Sequence, residues 1–244
     1  MWRKRDMTTT QIIKEYEYII STEHHLVKID DKVFLIDTGS PISFYLAGNI
    51  RTIKINENNY DVKENIIKID GEVLNEFVGV NIDGIIGADI LSKTGGVYFD
   101  KISKTVKFTS KNDFQHSVRV PLKVLGALGY YYIVLQLNTG GNSISAILDT
   151  GAYMSYIDQD IARHGIPNGN AIDFAPMFGG WINTTTVILP VSIGTQTQSI
   201  SFAVMTKAIK TQVKMFGCKA ILGINEISWD KLSIDFESKE LMYG

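Results

Sequence analysis

The chain repeats itself, and that limits what it can fold into more than any other property. In the first half, residues 26–44 read LVKI-DD-KVFLIDTGSPISF, two apolar runs around a two-residue turn that lead into Asp-Thr-Gly. In the second half, residues 131–156 read YYIVLQL-NTGGN-SISAILDTGAYMSY, the same plan with a longer hairpin loop. Each Asp-Thr-Gly is followed by one small residue, two variable ones, a serine (Ser43, Ser155) and an aromatic residue (Phe44, Tyr156). Further on, each copy carries two apolar residues and a glycine, Ile85-Ile86-Gly87 and Ile221-Leu222-Gly223. Each then closes on an acidic, aromatic strand, VYFDKISKTVKF (97–108) and LSIDFESKELMY (232–243). Short runs of β-branched and aromatic residues between Asp, Asn and Gly turns predict strands throughout, so the fold class is mainly β. Helices are expected only at 88–93, 158–164 and 225–230. The polar stretch 111–117 reads as a linker, giving two units, 1–112 and 113–244.

A lone Asp-Thr-Gly carries little weight. Chance supplies about 0.05 per chain of this length, and glycine at a strand-ending turn explains one copy without chemistry. Asn138-Thr139-Gly140 makes the point, since it sits where a hairpin needs a turn. Two copies in matching contexts, each after an apolar strand and before an apolar-apolar-Gly element, point to a pair of carboxylates acting together.

On these residues the chain resembles the aspartic peptidases of the pepsin and retropepsin type. The likeness rests on Leu35-Ile36-Asp37-Thr38-Gly39-Ser40 and Ile147-Leu148-Asp149-Thr150-Gly151-Ala152, with Ile86-Gly87 and Leu222-Gly223 behind them. The stretch DGIIGADILSKTGGVYF (83–99) is particularly retropepsin-like. The resemblance implies a two-lobed fold of two retropepsin-like barrels related by a pseudo-twofold axis, a pseudo-dimer within one monomeric chain. It implies endopeptidase activity on extended polypeptides, with Asp37 and Asp149 as catalytic residues and no cofactor or metal. Thr38, Gly39, Ser40, Thr150, Gly151 and Ala152 would support the two loops. The threonines would lock them by hydrogen bonds to each other's backbone, the glycines would admit the substrate backbone, and the Ser40 hydroxyl would donate to Asp37. Two carboxylates about 3 Å apart cannot both ionise, so such a pair holds one proton between them. A binding module that keeps the fold without turning over peptides is the competing reading.

The halves differ in one interval. From Asp149 to Gly223 the chain is about two dozen residues longer than from Asp37 to Gly87. The extra residues hold FAPMFGGWINTTTVILPV (174–191), which reads as a hairpin with its tip at Met177, Phe178, Gly179, Gly180 and Trp181. It resembles the glycine-rich flap that covers substrate in retropepsins, although pepsins carry their main flap on the first lobe. Residues 50–69 are charged and lack glycine, so a single flap on the second half is expected.

Composition excludes several other classes. Twenty-four basic and 26 acidic residues give a net charge of −2, which offers nucleic acid no footing. Nowhere do about 18 apolar residues run together, so no membrane-spanning helix is expected. Arg3, Lys4 and Arg5 are not followed by an apolar stretch, so no secretory signal is read and a cytoplasmic location is expected, with secretion by a signal-independent route also compatible. The single cysteine, Cys218, rules out an intrachain disulfide and has no nearby histidine to activate it, so no catalytic thiol is read. The four histidines show no metal-ligand spacing and read as surface or core residues. The partner is a peptide or protein substrate.

Overall fold

The computed structural model describes residues 13–46, 48, 51–65, 68–110, 115, 117–127, 130–176 and 180–244. Most of them lie in strands, so the mainly-β expectation holds. The linker 111–117, apart from Gln115 and Ser117, falls outside the described residues.

Each Asp-Thr-Gly follows a hairpin, and the turns show why. In the first, His24–Ile29 pairs with Lys32–Asp37 across a tight turn in which Asp30 takes a left-handed φ of 54°. In the second, Tyr130–Thr139 pairs with Asn142–Asp149, and the two turn residues are Gly140 and Gly141, at φ 56° and 77°. Two successive left-handed residues match the twist of a two-residue hairpin, and glycine adopts them without steric cost.

Each aspartate strand then takes the apolar-apolar-Gly element as a parallel neighbour. Lys32–Asp37 lies beside Gly84–Gly87 with Asp37 opposite Gly87. Asn142–Asp149 lies beside Ala220–Gly223 with Asp149 opposite Gly223. The segment after each Asp-Thr-Gly returns to pair antiparallel on the far side, Phe44 with Ile85 and Tyr156 with Ile221. A strand flanked on both sides in this way is buried on both faces, which is why Ile85-Ile86 and Ile221-Leu222 are apolar without alternation.

Among the described residues the strands form a ten-stranded sheet, an eight-stranded sheet and a separate two-stranded hairpin. The larger sheet joins the two halves. Its middle sets Gly96–Asp100 against Lys231–Asp235, the closing strands of the two copies, with Val97 opposite Ile234. The copies even turn alike. Asp100 accepts from the backbone N–H groups of Ile102 and Ser103, as Asp235 does from Glu237 and Ser238. Glu240–Tyr243 sits between Lys231–Asp235 and Val118–Pro121, and Tyr16–Ser21 joins the same sheet. One apolar cluster runs through this junction and contains Ile36, Ile86, Leu148 and Leu222 together.

Three helical expectations fare differently. Ala88–Lys93 forms as read. Residues 158–164 shorten to Gln159–Ala162, with Asp158 as the N-cap. Residues 225–230 form no α-helix, and only a single 3-10 turn, Ile224–Glu226, overlaps their start. Two further helices had not been anticipated, Gly71–Val78 and Lys207–Met215. Asp70 caps the first through the N–H groups of Glu72 and Val73, and Gly79 stops it at φ 81°.

Candidate active site

The two Asp-Thr-Gly turns meet at the floor of a cleft that opens to solvent. Four reciprocal hydrogen bonds hold them together. The Thr38 N–H donates to Thr150 Oγ1 at 3.0 Å, and the Thr150 N–H donates to Thr38 Oγ1 at 3.0 Å. Each hydroxyl passes its own proton across to the other strand, Thr38 to the Leu148 carbonyl (2.8 Å) and Thr150 to the Ile36 carbonyl (2.7 Å). Both threonines are buried, so each donor and acceptor satisfied here would otherwise be left unpaired away from water. The lock joins residues more than a hundred positions apart, which makes each loop's position depend on the other.

The glycines also have a packing purpose that the sequence did not show. A Cβ on Gly39 would stand 2.2–2.6 Å from the carboxylate of Asp149, and a Cβ on Gly151 would stand 2.5 Å from the carboxyl carbon of Asp37. The space that glycine leaves is filled by the opposing aspartate. That crossed packing brings the two carboxylates within hydrogen-bonding reach of each other.

Backbone N–H groups hold each carboxylate in place: those of Gly39 and Ser40 on Asp37, those of Gly151 and Ala152 on Asp149. The Ser40 hydroxyl takes no part. It donates to the Ile42 carbonyl at 2.8 Å, while the Ser40 N–H makes the 2.9 Å bond to Asp37. The expected hydroxyl donor to Asp37 is therefore replaced by a backbone one, which Ala152 supplies equally on the other side.

Removal from water pushes the affinity of both carboxyls for a proton above the ordinary range, and the charge of Asp37 pushes Asp149 up further. The pair thus holds a proton where isolated aspartates would have lost theirs, with Asp149 the more strongly raised.

Behind the pair, two serines brace the elements in parallel. The Gly87 N–H donates to Ser43 Oγ at 2.8 Å and the Gly223 N–H to Ser155 Oγ at 3.0 Å. Their recurrence six residues after each aspartate was visible in the sequence, and this shared bond is the reason for it.

The hairpin of the second half pairs Ile166–Ala175 with Gly180–Ile193. Its residues Asp173, Phe174, Ala175 and Pro176 line the same cleft as Asp37 and Asp149. Met177, Phe178 and Gly179 lie outside the described residues. Gly180 opposes Ala175 in the hairpin with φ 95°, and Trp181 is 58% exposed. Trp181 packs on Phe174 and edge-on to Phe77 of the first half's helix Gly71–Val78. The counterpart hairpin of the first half, Thr52–Ile55 with Asn58–Asp61, buries Ile53 and Ile55 in the core, and none of its described residues lines the cleft.

Sequence reasoning had passed over several residues of the cleft. His24 is a buried wall residue packed against Phe77 and Tyr153. Tyr132, Phe216 and Gln212 form another side. Asp173 is buried, accepting from the Tyr156 hydroxyl at 2.6 Å and from the Phe174 N–H at 2.8 Å. Only the alternation of strand residues carried a signal for these, and it does not separate cleft from core. His25 is buried between Tyr18 and Asn225, and burial lowers its pKa to about 3. Cys218 is buried as well, its thiol pushed up to about 11. Among the described residues no group of three His, Cys, Asp or Glu side chains is placed to hold a metal ion, and no helix is long and apolar enough to cross a membrane.

No protein-family model matches the chain, and no match is found among curated proteins.

Proposed function

We propose that this chain is an aspartic endopeptidase of the pepsin and retropepsin type, with two retropepsin-like lobes that each supply one catalytic aspartate. One observation carries the reading. Asp37 and Asp149, from two interlocked and equivalent turns, face each other across the positions of Gly39 and Gly151 at the bottom of an elongated apolar cleft.

Such a pair suits amide hydrolysis, which needs a water made nucleophilic and a carbonyl made electrophilic. In the resting pair Asp149 carries the shared proton and Asp37 the charge. A water bridging the carboxylates loses a proton to Asp37 as it attacks. Asp149 donates its proton to the carbonyl oxygen, giving a neutral tetrahedral diol. Collapse returns a proton to the leaving amine from the carboxyl that has just gained one. Asp149 takes a proton back from a diol hydroxyl as the acid product forms, so each carboxylate changes state twice and the pair ends as it began, with one proton. The hairpin from Ile166 covers the cleft from the second lobe and offers an extended segment backbone partners, as a strand would.

The test is digestion of a mixed peptide library by the wild type, Asp37→Ala and Asp149→Ala. Cleavage by the wild type and loss of about 10³-fold or more in both variants is the expected result. Zinc chelation is expected to leave the rate unchanged. Turnover by either folded variant, after exclusion of a contaminating protease, contradicts the reading.

A further inference from the structure

A third carboxylate stands in the cleft and the dyad mechanism gives it nothing to do. Asp173 sits near the tip of the second half's hairpin, opposite Ile182, is 5% exposed, and lines the same cleft. Its two oxygens accept from neutral donors only, the Tyr156 hydroxyl and the Phe174 N–H. Among the described residues it forms no ion pair, and the residues lining the cleft include no lysine and no arginine.

A neutral amide could keep a bond to each partner, its oxygen accepting from the Phe174 N–H and its NH2 donating to the Tyr156 hydroxyl oxygen, so what a carboxylate adds at this place is charge. Buried charge is costly unless a counter-charge meets it. The other titratable groups that face Asp173 do not provide one. Tyr156 is neutral, with its hydroxyl held protonated by burial, and Asp149 lies near enough to push Asp173 further up. The cleft therefore concentrates acidic groups within an apolar wall and leaves the matching cation to come from outside.

We propose that Asp173 is a specificity-determining residue that selects a lysine or arginine side chain on the segment bound beneath the hairpin. The inference rests on the peptidase reading above and deepens it. An ammonium or guanidinium brings charge-assisted donors to the lone pairs that Tyr156 and Phe174 leave free, and the apolar walls accommodate its methylene stem.

The test compares one cleavable peptide in three forms, with lysine, acetyl-lysine or norleucine scanned across the positions around the scissile bond. At one position the wild type is expected to favour lysine over norleucine by roughly 30-fold in kcat/KM, with acetyl-lysine behaving like norleucine. Asp173→Asn, which can keep a bond to each of Tyr156 and Phe174, is expected to bring that ratio to about one. The wild-type comparison stands alone should the variant fail to fold. Equal or better cleavage of norleucine at every position, or a lysine preference retained by Asp173→Asn, overturns the proposal. If no peptide is cleaved at all, the peptidase reading fails, and calorimetric binding of the same three peptides to the wild type decides the point. Tighter binding of the lysine form supports Asp173 as the selector, and equal binding of the three overturns it.

Discussion

The two halves agree where chemistry is at stake and part where substrate would be held. At the floor of the cleft the turns are interchangeable: the same hydroxyl-to-carbonyl lock, the same pair of backbone donors to each aspartate, the same serine brace behind. Above it they diverge. The first half has a short hairpin folded into the core and a helix, Gly71–Val78, whose Phe77 faces the cleft. The second half has a long hairpin whose Asp173, Phe174, Ala175 and Pro176 line the cleft. A proton shared between two carboxylates asks for equivalent surroundings, so the floor is constrained as a pair. Grip on a substrate asks only for complementary walls, and these were free to differ.

Substitution at the crossed glycines should break the symmetry of the floor most severely. Gly39→Ala and Gly151→Ala are each expected to lower kcat/KM by about 10²-fold or more, because a methyl group in either place drives the opposing carboxylate away. Matched losses in the two variants, measured on one peptide, sharpen the account. Had these glycines served to admit substrate, KM would suffer first and the dyad's titration would stay in place.

One step behind the dyad the halves should cease to match. A Cβ on Gly87 meets the Ser40 and Ile42 carbonyl oxygens at 2.6 Å, whereas one on Gly223 meets the Ala152 carbonyl at 3.2 Å. Gly87→Ala is expected to cost roughly 3 kcal/mol and Gly223→Ala about 1 kcal/mol in denaturant unfolding. Equal costs would show that the first half yields more readily than its packing suggests.

Stability should also depend on pH through the pair. Both folded-state values lie above the unfolded one, so the contribution is fully present below the unfolded aspartate value, about 3.9, and is lost as pH rises through the folded ones. The melting temperature of the wild type is expected to fall as pH climbs through that range. Asp149→Asn, which cannot ionise, should flatten the fall. An unchanged slope in the variant would assign the dependence to other groups, Asp173 and Glu226 among them, which burial also raises.

The smallest effect concerns the residue after each Asp-Thr-Gly. Because the Ser40 hydroxyl is committed to the Ile42 carbonyl and the N–H carries the bond to Asp37, Ser40→Ala should leave both limbs of the pH–rate profile in place. A displaced acidic limb would show that the hydroxyl reaches Asp37 during turnover.

Much of this was legible in the chain before any coordinates. The doubled hairpin, the apolar-apolar-Gly elements and the serines at matched positions are local signals, and they fell into place because each is fixed by short-range geometry. The helix Gly71–Val78 was not legible, since Leu74 and Val78 are its only fully buried positions and too few to mark a period. The crossed packing at Gly39 and Gly151 and the burial of Asp173 depend on contacts between distant segments. A sequence pattern gives the residue type at such positions and leaves the partner open.

The claim at the centre is that two distant turns build one titrating unit. Carbon-13 NMR of protein labelled at the aspartate carboxyls, titrated without substrate, tests it without reference to any peptide. Shielding of the Asp37 and Asp149 signals from the other aspartates by comparison with the two single Asn variants identifies the pair. The account predicts that both signals move together in two separated steps, the upper one well above the usual aspartate range, so that one proton is held between them over the interval. Two independent titrations near about 3.9 would contradict it.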